Sequence, residues 1–82
     1  MVKGDKLRGR MVENRYTLKK LADSIGISSA SLVRKINGMT DFTVGESAKV
    51  KELLNLSNED YLDIFFINEL EYKSRNQNDF EL

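Results

Sequence analysis

Apolar residues recur at spacings of three and four along most of the chain, the periodicity of helices laid against a shared core. Ser, Thr or Asp precedes most of these stretches, where N-caps stand, and no Pro interrupts them. The pattern predicts an all-α fold of five short helices in a compact bundle, at about 6–14, 18–25, 29–37, 44–54 and 58–66.

In the first predicted helix Asp5 stands as N-cap, Leu7 and Met11 share one face, and Val12 widens the stripe, while Gly9 weakens the helix slightly. Thr17 caps the second, with Leu18, Leu21, Ala22 and Ile25 inward, Lys19, Lys20 and Asp23 outward, and Gly26 as the stop. Ser28 caps the third. There Leu32 and Ile36 face in, Ser29, Ala30, Val33, Arg34 and Asn37 form a second, free face, and Gly38 ends the helix. Thr43 and Glu46 form the T-x-x-E of a capping box, so the fourth helix carries Val44, Ala48, Val50 or the stem of Lys51, Leu53 and Leu54 inward. Ser57, followed by Glu59 and Asp60 where the helix dipole favours acids, starts the fifth; its Tyr61, Leu62, Ile64 and Phe65 make it apolar on more sides than one core covers.

After Phe66 the alternation of Ile67, Glu69 and Glu71 with Asn68, Leu70 and Tyr72 reads equally as a short C-terminal strand or extended segment and as continued helix. From Lys73 to Asp79 the chain is polar without periodicity, which predicts a disordered tail unless a partner orders it. The expected organisation is one domain over 1–66 followed by a segment at 67–82.

A chain of 82 residues gives a small core and little room for a deep substrate cavity, so a surface-binding role is expected. There is no Cys, and without His the commonest general base and metal ligand is missing. The carboxylates sit mostly at helix caps and on surface positions. An enzyme, a metal site, a cofactor and a small-molecule ligand are therefore not expected. No apolar run suits a signal peptide or approaches the roughly 20 residues of a membrane span, which favours a cytoplasmic protein.

The formal net charge of zero conceals an asymmetry. Residues 1–40 hold nine bases against three acids, +6, and residues 41–82 come to −6. A basic half attracts phosphates while an acidic half faces away from them. Between the second and third helices, Ala22 lets the helices approach, Gly26 permits a left-handed reversal within a few residues, and Ile27 anchors the turn inward so that Leu32 packs on Leu21 and Ile25.

With these residues in place, LKKLADSIGISSASLVRKING resembles the helix-turn-helix of the phage Cro and repressor family, also called the XRE family, over about residues 5–66. Leu18, Leu21, Ala22, Ile25, Gly26, Ile27 and Leu32 fall on its structural positions, and Asn37-Gly38 is similar to the Asn-Gly that ends its recognition helix. The stretch from Lys35-Ile36-Asn37-Gly38 through Phe42-Thr43 to Phe65-Phe66 is similar to small phage-borne Cro-like proteins. Two positions depart from the family: Lys35 stands where an apolar residue is usual, with Ile36 as its substitute, and Leu18 replaces a common Gln that contacts DNA.

The resemblance implies a sequence-specific transcriptional repressor of double-stranded DNA whose third helix enters the major groove. Ser29, Ala30 and Arg34 then take base-readout positions, Arg34 first among them because a guanidinium pairs bidentately with guanine. Val33 either meets a thymine methyl or packs against a neighbouring helix. Phosphate contacts fall to Arg10, Arg15, Thr17, Lys19, Ser28, Asn37, Thr40 and Thr43, with capping the stronger reading of Ser28; Lys3 and Lys6 form a short arm, while Lys20 and Lys35 read better as solvated charges. Tyr61, Phe65, Phe66, Ile67 and Leu70 are candidate contacts of a homodimer on a palindromic operator, against a monomer whose C-terminal segment folds back over its own core. A protein-interaction module such as an antirepressor, or an antitoxin-type regulator, would use the same fold.

Overall fold

The computed structural model describes residues 2–66, which form five helices: α1 (Gly4–Glu13), α2 (Leu18–Ile25), α3 (Ser29–Ile36), α4 (Val44–Leu53) and α5 (Asn58–Phe65). The described part is all-α, and its helices lie within two residues of the predicted boundaries. The strand-or-helix alternative at 67–72 and the tail beyond it lie outside the described residues. None of the described helices is long and apolar enough to cross a membrane.

Local chemistry sets most of the helix starts. The hydroxyls of Thr17, Ser28, Thr43 and Ser57 each accept from the backbone N–H three residues on, and Glu46 completes the capping box by accepting from the Thr43 N–H at 2.9 Å. The start of α1 differs from the expected Asp5 cap. Lys3 occupies the N-cap without a side-chain bond, and its own N–H donates to the Ile64 carbonyl at 2.8 Å, so a tertiary contact to the end of α5 fixes the start; Asp5 lies inside the first turn.

The first four helices end by one device. A residue with positive φ (Arg15, Gly26, Gly38 and Asn55) follows each helix or its cap. The next N–H then donates to the carbonyl five residues back: Tyr16 to Met11, Ile27 to Ala22, Met39 to Arg34, and Leu56 to Lys51, at 2.8–3.0 Å. Gly26 does this without steric cost at φ 83°, whereas Arg15 and Asn55 hold φ near 55° with a Cβ present.

The core joins Leu7 and Met11 of α1, Leu21, Ala22 and Ile25 of α2, Leu32 and Ile36 of α3, Val50 and Leu54 at α4, and Leu56, Ile64 and Phe65. α2 packs on α3 and on α4, while α1 packs on α5. Ser47 is buried among them; its hydroxyl donates to the Val44 carbonyl at 2.9 Å and accepts from the Tyr61 hydroxyl at 2.8 Å. Three apolar residues expected inward point out. Val12 is 77% exposed, since Leu7 and Met11 alone form the stripe of α1. In α4 the buried line runs through Ser47, Val50 and Leu54, which leaves Val44 75% exposed and Ala48 exposed. Leu62 of α5 is likewise exposed.

Gly4 marks a close approach: a Cβ built there would stand 2.5 Å from the Ile36 carbonyl oxygen, whereas one at Gly9 meets nothing within 4 Å. The same substitution in the same helix should therefore have opposite signs. Gly4→Ala is expected to cost about 1–3 kcal/mol through overpacking against backbone, and Gly9→Ala to add about 1 kcal/mol of helix propensity. Thermal melts of the two variants check this, the midpoint falling for the first and rising for the second.

Candidate nucleic-acid interface

The face that α3 turns to solvent follows from the face it buries. Leu32 and Ile36 are held in the core, and α2 packs alongside, so Ser29, Ala30, Arg34 and Asn37 stand exposed on the opposite side with Val33 half-buried between them. The spacing of 30, 33, 34 and 37 is that of one helical face. Of the two alternatives for Val33, the side chain is partly packed and partly open. Arg34 has no carboxylate within ion-pair distance among the described residues. The guanidinium is thus a free fork on an exposed helical face.

Around this face the candidate phosphate contacts divide. Thr17 caps the exposed start of α2, with its hydroxyl engaged by the Lys20 N–H at 3.1 Å, and Ser28 is engaged by the Ser31 N–H at 3.1 Å. Lys19 lies one turn from Asp23, 3.6 Å away, but both are so exposed that the pair constrains little. The Lys20 ammonium sits 4.6 Å over the Tyr16 ring. Arg15 and Thr40 are exposed. Arg10, by contrast, turns to the other side of the molecule, its guanidinium 3.0 Å from Glu13 and 3.2 Å from Asp60 of α5. Lys3 and Lys6 do not form an arm, because both ammonium groups pair with Asp63. These two cations hold the Asp63 carboxyl below its ordinary value through their hydrogen bonds.

Lys35 departs from the solvated reading. Its side chain is only 12% exposed; it donates to the Asp41 carbonyl at 2.8 Å, pairs with Glu46 at 3.0 Å and lies 5.9 Å from the Phe42 ring centre. A charged residue thus occupies a position suited to an apolar one by burying its stem and sending its head to a carboxylate. The pair ties the end of α3 to the start of α4 and so fixes the turn that carries Thr40 and Thr43. Thr43 itself is committed to the capping box beside the Glu46 carboxylate.

The Glu46 carboxyl is held below its ordinary value of 4.5, mainly by the Thr43 N–H and then by Lys35, with burial opposing both. A depressed folded-state pKa stabilises the fold fully above the unfolded value, and the contribution is lost as pH falls through the folded value. Glu46→Gln is accordingly expected to lower stability at neutral pH and to flatten the decline in stability below about pH 4.5. Urea denaturation of both proteins across that range measures it.

The candidate dimer contacts separate in the same way. Phe65 belongs to the core, edge-on to Phe42 with centroids 5.2 Å apart, and is buried, so it offers no surface to a partner. Tyr61 and Phe66 are half-buried against each other at 5.2 Å, with the Tyr61 hydroxyl engaged by Ser47. Ile67 and Leu70 lie outside the described residues. The large apolar residues that are exposed among the described ones are instead Leu62 of α5, Val44 of α4, Val12 of α1 and, after α3, Met39, 72% exposed. Val44 and Phe66 also line a shallow cleft of about 350 Å³ with Val2, Phe42 and Ser47.

No family model, curated protein or solved structure matches the chain.

Proposed function

We propose that the chain is a sequence-specific double-stranded DNA-binding protein acting as a transcriptional repressor of the Cro and phage-repressor type, in which α2, the turn at Gly26 and α3 serve as the helix-turn-helix. The observation that carries this reading is the outward face of α3: a buried Leu32 and Ile36 fix its direction, and it is lined by Ser29, Ala30, Val33 and Arg34, the last without an ion-pair partner among the described residues. An α-helix of that kind fits the major groove, where side chains reach base edges. Arg34 pairs with guanine O6 and N7, Ser29 with a polar base edge, and the methyl groups of Ala30 and Val33 with thymine. Thr17, Lys19, Arg15, Asn37 and Thr40 flank the groove toward phosphates on either side, and Arg10 falls outside this footprint.

A single helix in the groove gives modest affinity, and two copies on inverted half-sites about one helical turn apart supply the rest. The homodimer would draw on the exposed side of Phe66 and on Val44. The site of action is the cytoplasm.

Selection from a random-sequence duplex pool tests the proposal. The expected result is one enriched motif with inverted halves. A pool that stays unenriched at low and moderate salt overturns the reading, and tight capture of another regulator by a protein without DNA affinity would favour the interaction module instead.

A further inference from the structure

The cations of α1 do not share one direction. Lys3 and Lys6 reach Asp63, and Arg10 reaches Asp60, all on α5. Arg8 alone turns to α3, where its Nη2 donates to the Asn37 side-chain oxygen at 3.2 Å; it is exposed and has no carboxylate within ion-pair distance among the described residues. Asn37 closes α3 at the end of the outward face, one turn beyond Arg34. Because its Oδ1 is taken by Arg8, its Nδ2 points the other way as a pair of N–H donors. The Arg8 guanidinium itself offers five N–H groups in a planar fork, of which this bond uses one. Two side chains that together present N–H groups and a positive charge suit an oxyanion.

We propose that Arg8 and Asn37 form a phosphate clamp at the C-terminal end of α3, in which Arg8 both binds a DNA backbone phosphate and orients the Asn37 amide toward it. This rests on the DNA-binding reading of α3 and adds to it a residue from α1. The pairing also explains how the register of α3 is held at its far end. In that reading the start of α2 at Thr17 gives one contact to the DNA backbone and Arg8 gives the second, so α3 is held against the phosphates from both sides. Gly4, one turn earlier in α1, allows the close approach to Ile36 that brings Arg8 within reach of Asn37.

The test compares wild type, Arg8→Ala, Arg8→Lys and Asn37→Ala on the duplex selected from the random pool, with affinity measured across a range of salt. Arg8→Ala is expected to bind several-fold more weakly, to lose about one unit of salt slope per chain bound, and to select an unchanged motif. Arg8→Lys should restore the slope but only part of the affinity, since an ammonium keeps the charge and lacks the fork. Removing Asn37 in the Arg8→Ala background should cost less than removing it from wild type. An unchanged slope in Arg8→Ala, or a lowered melting midpoint with unchanged slope, overturns the clamp while leaving the α3 reading intact. A changed motif overturns it too, by making Arg8 a base reader. If wild type selects no motif at all, the α3 reading fails and the clamp fails with it.

Discussion

Truncating Leu32 to Ala is expected to destabilise the protein by about 2–5 kcal/mol, the usual range for a fully buried leucine. Leu32 is fully buried, in a core cluster that also holds Leu21 and Ile25 of α2. The loss combines the apolar surface no longer buried with the cavity left behind, because α2 and α3 are tied at the Gly26 turn and cannot close fully over it. Small domains hold about 5–15 kcal/mol in total, so the variant should lose a large share of its stability. Urea titration should show a lower midpoint with an unchanged slope. A midpoint near that of wild type would mean that α3 is not anchored through this residue.

Two positions further along the same helix, Arg34→Ala is expected to do the reverse. Arg34 is exposed and unpaired among the described residues, so its loss should move the urea midpoint by no more than about 0.5 kcal/mol. Affinity for the selected duplex should fall by about 1–3 kcal/mol, roughly 5- to 150-fold, and the guanine preference at one position of each half-site should relax. The mutant should keep its nonspecific, salt-dependent binding, which other cations carry. Repeating the pool selection with Arg34→Ala measures this, and an unaltered motif would remove Arg34 from the readout. The two variants together separate the face of α3 that builds the fold from the face assigned to DNA.

Helix starts were legible wherever their cause is local. Thr17, Ser28, Thr43 and Ser57 cap what they were expected to cap, because a cap involves residues three apart in sequence. The start of α1 was not, since its cause is the Ile64 carbonyl at the far end of the fold. Inward faces were legible where apolar residues were numerous, as in α2. They failed in α4, where Val44 and Ala48 rivalled a stripe whose first member is a serine, and Ser47 is buried only because Tyr61 and the Val44 carbonyl complete its hydrogen bonds. The left-handed turns at Gly26 and Gly38 announced themselves through glycine; Asn55 is a weaker signal of the same kind, and Arg15 gives none.

For the candidate site, the sequence located the outward face of α3, because that face is what remains once Leu32 and Ile36 are buried. It could not sort the cations. Formal charge is the same for Arg34, which has no ion-pair partner among the described residues, for Arg10, which is spent on Glu13 and Asp60, and for Lys35, which is bound to Glu46 across the α3–α4 turn. The basic half of the chain is therefore less basic toward a ligand than its count of +6 implies, since Lys3, Lys6 and Arg10 serve the α1–α5 contact. The cations that the proposal assigns to DNA lie on α2 and α3, with Arg15 before α2 and Arg8 of α1 beside Asn37.

The most direct measurement is the set of backbone amide shifts in the protein's NMR spectrum as the selected duplex is added. If α3 is the helix that meets DNA, the largest changes fall on Ser29, Ala30, Val33 and Arg34, with smaller ones at Thr17, Asn37 and Thr40 and little at Asp60 or Asp63 of α5. Changes concentrated on α5 and the α1 face beside it, with Ser29 to Arg34 undisturbed, would contradict the account.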